Sequence, residues 1–222
     1  DAAFPAARII ISINDPRVLD AEPEAARFLA AGRLATVASA KNLLESVHAA
    51  IAAQDIAWPL LITTGDNVLM TPQALRDFHA FALDQGADGA AMFARKQDVL
   101  AAHPDGQPRF WKFRDGDFSG CNTFWVRDAA ALGAGEIFRS GGQFLKFPKR
   151  FIAAFGLGNL IGFRLGLLTV ERMLANVSRR FGKQLKVKIA GNGELAIDVD
   201  NAFSHQVAER LLKQRGVTAQ QG

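Results

Sequence analysis

The chain has 222 residues, of which 49% are hydrophobic and 22% charged, and its formal net charge is +4. These values are typical of one globular domain over residues 1–222 and exclude a disordered or fibrous chain. The single cysteine, Cys121, excludes an internal disulfide and a cysteine-based zinc site, which favours a cytoplasmic location. The small basic excess is typical of a solvated surface; a phosphate-rich substrate is the functional alternative, and nucleic acid is a weaker one.

Strands and helices are predicted to alternate over the first part of the chain. Thr71 followed by Pro72 is a typical helix start, because threonine caps the first turn and proline is pre-shaped for it. Alternation of this kind indicates a mostly parallel sheet with helices on both faces, a three-layer α/β/α fold. Periodicity predicts strands at 7–14, 34–38, 58–63 and 88–94, and helices at 22–31, 42–54 and 72–85.

The alternation stops after residue 94, where a hairpin-like insertion and a helical insertion are predicted. The most apolar stretch, 151–168, contains Arg164 and is predicted to be a packed or amphipathic helix rather than a membrane span, with membrane contact left open. The elements predicted here are a strand pair at 109–114 and 119–126, helix throughout 136–182, strands at 185–190 and 194–199, and a closing helix at 202–214.

Two distant acidic segments are the main functional signal. Asp66 follows the strand at 58–63, and Asp198 and Asp200 end the strand predicted at 194–199. Carboxylates at the carboxyl ends of parallel strands lie where open α/β sheets bind ligands, and together with phosphate oxygens they suit Mg²⁺. We therefore predict Asp66 and Asp200 as metal-binding catalytic residues for a nucleoside triphosphate. Asp198 precedes Asp200 by two residues, so in a strand both would point to the same side, and Asp198 is either a third ligand or an orienting group. The structural alternative for each acid is a helix N-cap.

Four segments, in the same order along the chain, resemble the MobA-like nucleotidyltransferases, the superfamily of molybdenum-cofactor guanylyltransferase. They are KNLLESV at 41–47, LLITTGDNVLMTP at 60–72, SGCNTF at 119–124 and AIDVDN at 196–201. The resemblance implies a Rossmann-like, GT-A-like nucleotidyltransferase domain. It also implies Mg²⁺-dependent transfer of a nucleotidyl group from an NTP to a phosphorylated small-molecule acceptor, with release of pyrophosphate.

The resemblance also suggests substrate-binding residues. Lys41 and Ser46 occupy a segment that contributes to nucleotide binding in the family, and Asn122, with Gly120 allowing close approach, is a candidate for holding the acceptor or ribose. Lys146 and Lys149 are cationic candidates for the acceptor phosphate. The alternatives are a turn asparagine and ordinary solvated lysines. Cys121 is interpreted as a packing residue rather than a nucleophile.

One family feature has no counterpart in this sequence, and it leaves rival functions open. The glycine-rich loop that cradles the triphosphate in the family does not match residues 1–222, so we predict that a strand-loop-helix unit of roughly fifty residues is missing before residue 1. If the protein lacks that loop altogether, a non-catalytic nucleotide-binding module is the alternative. An NDP-sugar-dependent glycosyltransferase is another, but it would need Asp-x-Asp where this sequence has only Asp66.

Overall fold

The computed structural model describes residues 2–133 and 156–220, with side chains described to residue 216. The strands are β1 (Ile9–Ile13), β2 (Leu34–Ala38), β3 (Leu60–Thr63), β4 (Gly89–Arg95), β5 (Trp111–Phe113), β6 (Gly116–Val126) and β7 (Leu185–Ala190). The helices are α1 (Pro23–Ala30), α2 (Leu43–Ala53), α3 (Pro72–Asp84), α4 (Lys96–Ala102), α5 (Ala129–Leu132), α6 (Leu157–Arg164), α7 (Val170–Phe181) and α8 (Ala202–Gln220).

The strands form two groups. β1 and β2 pair in parallel, and the larger sheet has the order β3-β6-β4-β7, with β5 paired to β6. Because β3 and β4 are both antiparallel to β6, and β7 is parallel to β4, the strands β3, β4 and β7 point the same way. Their carboxyl ends therefore lie on one edge of the sheet, which is the edge that the sequence predicted to bind ligand.

Side chains that alternate along the central strand divide the core into two layers. Met92 of β4 packs in a cluster with Phe78 of α3 and Leu211 of α8, on one face of the sheet. Phe93, the next residue, packs in a second cluster with Phe163 of α6 and Val177 of α7, on the other face. Helices thus cover both faces of the larger sheet, which confirms the predicted three-layer α/β fold.

The segment predicted as a strand at 194–199 is not one. A 3₁₀ turn occupies Gly193–Ala196, and the Ile197 N–H closes it by donating to Glu194 O at 3.0 Å. The prediction was wrong because Gly193 lies against the backbone of α4, where the chain turns tightly. Helix α4 was not predicted.

The predicted helical insertion at 136–182 is described only in part, because residues 136–155 lie outside the described ranges. From 156 onward it contains α6 and α7 with an irregular stretch between them. Gly166, with φ +64°, ends α6, and the Leu167 N–H donates back to Gly162 O at 2.8 Å. Within the described residues, no helix combines the length and the apolar character needed to cross a membrane.

Among the described strands, β1 pairs only with β2 and β3 only with β6, so each of these two strands has one unpaired edge. An apolar cleft lies over the larger sheet, bounded by Leu44 and Val47 of α2, Ile62 and Phe124 on the sheet, and Leu174 of α7.

Candidate functional site

Asp66 lies just beyond the carboxyl end of β3 and does not cap a helix. Thr71 caps α3 instead, since its Oγ1 accepts from the Ala74 N–H at 3.1 Å. The Asp66 carbonyl accepts from the Val199 N–H at 3.0 Å, which joins the two acidic segments through the main chain. Asp66 Oδ1 is buried and accepts no hydrogen bond within the described residues. The carboxylate is therefore free for a ligand.

Asp198 and Asp200 follow the 3₁₀ turn but differ in their surroundings. Asp198 is half-buried, and its Oδ1, like that of Asp66, accepts no hydrogen bond within the described residues, whereas Asp200 is exposed. The Asp200 carboxylate does not cap α8: Asn201 Oδ1 does, accepting from the N–H groups of Phe203 and Ser204 at 3.0 and 3.1 Å. The helix-cap alternative therefore fails for Asp200 as it does for Asp66.

Two side-chain amides donate to the same oxygen of Asp198. Asn122 Nδ2 lies 2.9 Å from Asp198 Oδ2, and Gln107 Nε2 lies 3.3 Å from it and also donates to the carbonyl of Ala196. Asn122 was predicted to hold substrate and is found beside the acids. Gln107 was not predicted, because it lies in the loop between α4 and β5 with no motif around it.

Asp198 is affected both by its burial and by the charges of the other two acids. Burial, and then the charges of Asp66 and Asp200, raise the pKa of Asp198 to about 7, against the opposing hydrogen bonds from Gln107 and Asn122. Carboxylates from two distant segments therefore lie close enough to repel one another. A cation between them would remove that repulsion.

The raised pKa of Asp198 predicts a pH-dependent stability in metal-free protein. The folded state holds the proton more tightly than the unfolded state, so this contribution is fully present below about pH 4 and is lost as the pH rises through about 7. The loss amounts to at most about 4 kcal/mol. Urea unfolding in EDTA across this range should show the free energy of unfolding falling more steeply in the wild type than in Asp198→Asn. Equal slopes would contradict the assignment.

A buried amide and a guanidinium hold the two acidic segments in place. Asn67, next to Asp66, donates through Nδ2 to Leu195 O at 3.4 Å and also to Cys121 O. Arg215 of α8 donates to Leu69 O at 2.9 Å and forms an ion pair with Glu194. Leu69 follows Asp66 and Glu194 precedes Asp198, so these contacts connect both segments to each other.

The strand that carries Asn122 also carries Gly120 and Cys121. A side chain at Gly120 would meet Trp111 only at an ordinary contact distance of 3.9 Å, so local packing does not require glycine there. Cys121 is buried, and that burial, followed by the Asp198 charge, raises the pKa of its thiol above its usual range. A thiol held in this form is a poor nucleophile, in agreement with its interpretation as a packing residue.

Of the remaining predicted substrate residues, Lys41 and Ser46 fall within the described ranges. Lys41 is exposed in the loop after β2, and Ser46 is buried in the first turn of α2, where its Oγ accepts from the Ala40 N–H at 3.0 Å. Neither takes part in the hydrogen bonds around Asp198. Lys146 and Lys149 lie outside the described residues. Substrate binding by all four stays a prediction.

The donor set suits a hard divalent cation that is completed by substrate. Mg²⁺ favours one or two carboxylates together with phosphate oxygens and water. Asp66 Oδ1 and Asp198 Oδ1 are buried acceptors without hydrogen bonds within the described residues, and Thr64 Oγ1 and Asn67 Oδ1 share that property. In the described ranges, no three His, Cys, Asp or Glu side chains converge into a ready metal cage.

Comparison with known proteins identifies a shared fold. No protein-family model matches the chain, and no curated protein matches it. Among solved structures, it is similar to one from Thermus thermophilus described as a hypothetical transferase, with a TM-score of 0.64 and 21% sequence identity. The match covers 87% of this chain and 78% of that one. At this sequence identity the similarity establishes the fold alone, and the chemistry has to be inferred from the residues of the site.

Proposed function

We propose that this chain transfers a nucleotidyl group from an NTP to a phosphorylated small-molecule acceptor, with release of pyrophosphate. The observation that carries the proposal is the convergence of Asp66 and Asp198, each with a buried unpartnered oxygen, at the carboxyl edge of the sheet. The fold shared with a protein named a transferase, and the four segments that resemble MobA-like enzymes, agree with it. A small-molecule acceptor, rather than nucleic acid, and a cytoplasmic location are part of this proposal.

In this reaction the protein positions the reactants and neutralises charge, and it forms no covalent bond to them. An acceptor phosphate oxygen attacks the α-phosphorus of the NTP, and the bond from that phosphorus to the pyrophosphate oxygen breaks. When bound, Mg²⁺ would neutralise negative charge on the α-phosphate and on the leaving pyrophosphate. We assign Asp66 and Asp198 to hold it. Exposed Asp200 adds negative charge at the rim and would act on the ion through water, because no three such side chains converge in the described ranges.

A pyrophosphate-release assay on the full-length protein tests the proposal. Four NTPs are screened against phosphorylated sugars, polyols and cofactor precursors, with Mg²⁺ and with EDTA as the control. We expect release that requires one NTP, one acceptor and Mg²⁺ together. Release of NDP from an NDP-sugar would instead indicate a glycosyltransferase, and NTP binding without turnover would indicate a non-catalytic module.

A further inference from the structure

The geometry points to Gln107 and Asn122 as a pair of positioning residues that fix the Asp198 carboxylate for a divalent cation. Both amides donate to Asp198 Oδ2, at 3.3 and 2.9 Å, and this leaves Asp198 Oδ1 as the oxygen available to the ion. The inference rests on the proposed function, because it concerns the same metal site. In this inference Asn122 orients the Asp198 carboxylate and does not hold the acceptor or the ribose.

The orientation of the Gln107 amide is determined by its two partners. A main-chain carbonyl can only accept, so Ala196 O requires the NH₂ end of the amide to point toward it. The second hydrogen of that NH₂ is then directed at Asp198 Oδ2, where the contact is 3.3 Å. The amide cannot flip without placing its own oxygen against two acceptors. Gln107 therefore requires Asp198 Oδ2 to be a hydrogen-bond acceptor.

The loop that carries Gln107 packs directly on the acidic segment. Gly106 is buried, and a Cβ at this position would lie 2.8 Å from Ile197 Cδ1 and 3.1 Å from His103 O. The glycine therefore allows a close approach between this loop and the residue that precedes Asp198. The positioning contact is built into the packing of the loop and does not depend on a flexible side chain alone.

The backbone at Asn122 is strained. Within the described residues, Asn122 is the one non-glycine residue with a positive φ, at +46°. It lies where the register between β4 and β6 shifts, and its neighbours Cys121 and Thr123 are both fully buried. Strained backbone of this kind is concentrated at functional sites, where it aims a side chain that regular structure would turn elsewhere. Here the side chain is aimed at Asp198.

A purely structural role for the two amides makes a different prediction from a positioning role. If they only satisfy a buried carboxylate, their loss lowers stability and leaves metal binding by the folded protein unchanged. If they position Asp198 for an ion, their loss weakens metal binding in protein that remains folded. Groups that orient a metal ligand typically change metal affinity by about 10- to 100-fold when removed.

Mn²⁺ alone, titrated into metal-free full-length protein and followed by electron paramagnetic resonance, separates these roles. We expect about 10-fold weaker Mn²⁺ binding in Gln107→Leu and in Asn122→Gly. Glycine adopts a positive φ without strain, so Asn122→Gly removes the side-chain amide without disturbing the backbone conformation. This variant therefore still tests the inference if Gln107→Leu does not fold. Gln97→Leu, at an exposed position on α4, is the matched control and should bind Mn²⁺ as the wild type does.

The outcomes separate this inference from the proposed function. Unchanged Mn²⁺ affinity in folded Asn122→Gly, or wild-type protein that binds no Mn²⁺, would overturn the positioning role. If Mn²⁺ binding depends on both amides but no NTP yields pyrophosphate, the positioning role stands and nucleotidyl transfer fails. If pyrophosphate is released equally well by the wild type and Gln107→Leu, at the same half-saturating Mg²⁺, nucleotidyl transfer stands and the positioning role fails.

Discussion

Asp66→Asn is expected to lower kcat/KM for pyrophosphate release by about 10³-fold, the loss typical of removing one charge-stabilising group from a reacting centre. The substitution keeps the size of the side chain and removes the charge that would bind the ion beside the α-phosphate. Because Asp66 adds to the repulsion that raises the pKa of Asp198, the metal-free variant should be at least as stable as the wild type. Loss of activity together with unchanged or increased stability distinguishes a functional carboxylate from a structural one.

Steady-state assays at saturating Mg²⁺, with urea unfolding in EDTA beside them, measure both quantities. Asp84→Asn, at an exposed position at the end of α3, is the matched control and should leave both unchanged. Asp198→Asn should resemble Asp66→Asn in activity, and Asp200→Asn should cost less because Asp200 is exposed. Near-wild-type turnover by Asp66→Asn would remove that residue from the mechanism.

The parts of the fold that could be predicted from the sequence are those with strong local signals. Strands β2 and β7 were predicted with the bounds that the structure has, because β2 is a short apolar run and β7 alternates apolar residues with Lys186 and Lys188. Helix α3 was predicted from Thr71 and Pro72, and its observed cap is Thr71. These signals are local, so they can be recognised without knowledge of the tertiary contacts.

The arrangement around Asp198 could be predicted only in part, since it depends on contacts between residues far apart in sequence. The acidic segments were found because aspartates after apolar runs are a visible pattern. Gln107 has no such pattern, and it reaches Asp198 only because α4 and the 3₁₀ turn pack together. Asn67 lies inside a recognised segment, but its role in joining Cys121 and Leu195 depends on the bulge in β6.

The same packing explains why the strand predicted before Asp198 is a turn instead. Ala-Ile-Asp-Val-Asp alternates as a strand does, and periodicity alone favours that interpretation. Gly193, however, lies against the backbone of α4, so the chain must turn tightly there before it reaches Asp198. A long-range contact has overridden the local pattern at the position that orients an acid.

Gly193→Ala should therefore be among the most destabilising single substitutions in the described part of the chain. A Cβ at Gly193 would overlap the backbone of Asp98 and Val99, and backbone atoms inside a helix cannot move aside as a flexible side chain can. We expect a loss of about 3 kcal/mol in the free energy of unfolding, the upper end for overpacking a tight contact. Activity should fall as well, because the turn that would be displaced carries Asp198.

Gly191→Ala provides the control, two residues away in the same connection. Gly191 is exposed, and a Cβ there would meet no atom within 4 Å, so this variant should unfold within about 0.5 kcal/mol of the wild type. Urea unfolding of the two variants measures the difference directly. If Gly193→Ala is as stable as Gly191→Ala, the turn is not held against α4, and the packing argument for the position of Asp198 fails with it. If Gly193→Ala is unstable but its folded fraction keeps full activity, the turn supports the fold without orienting the acid.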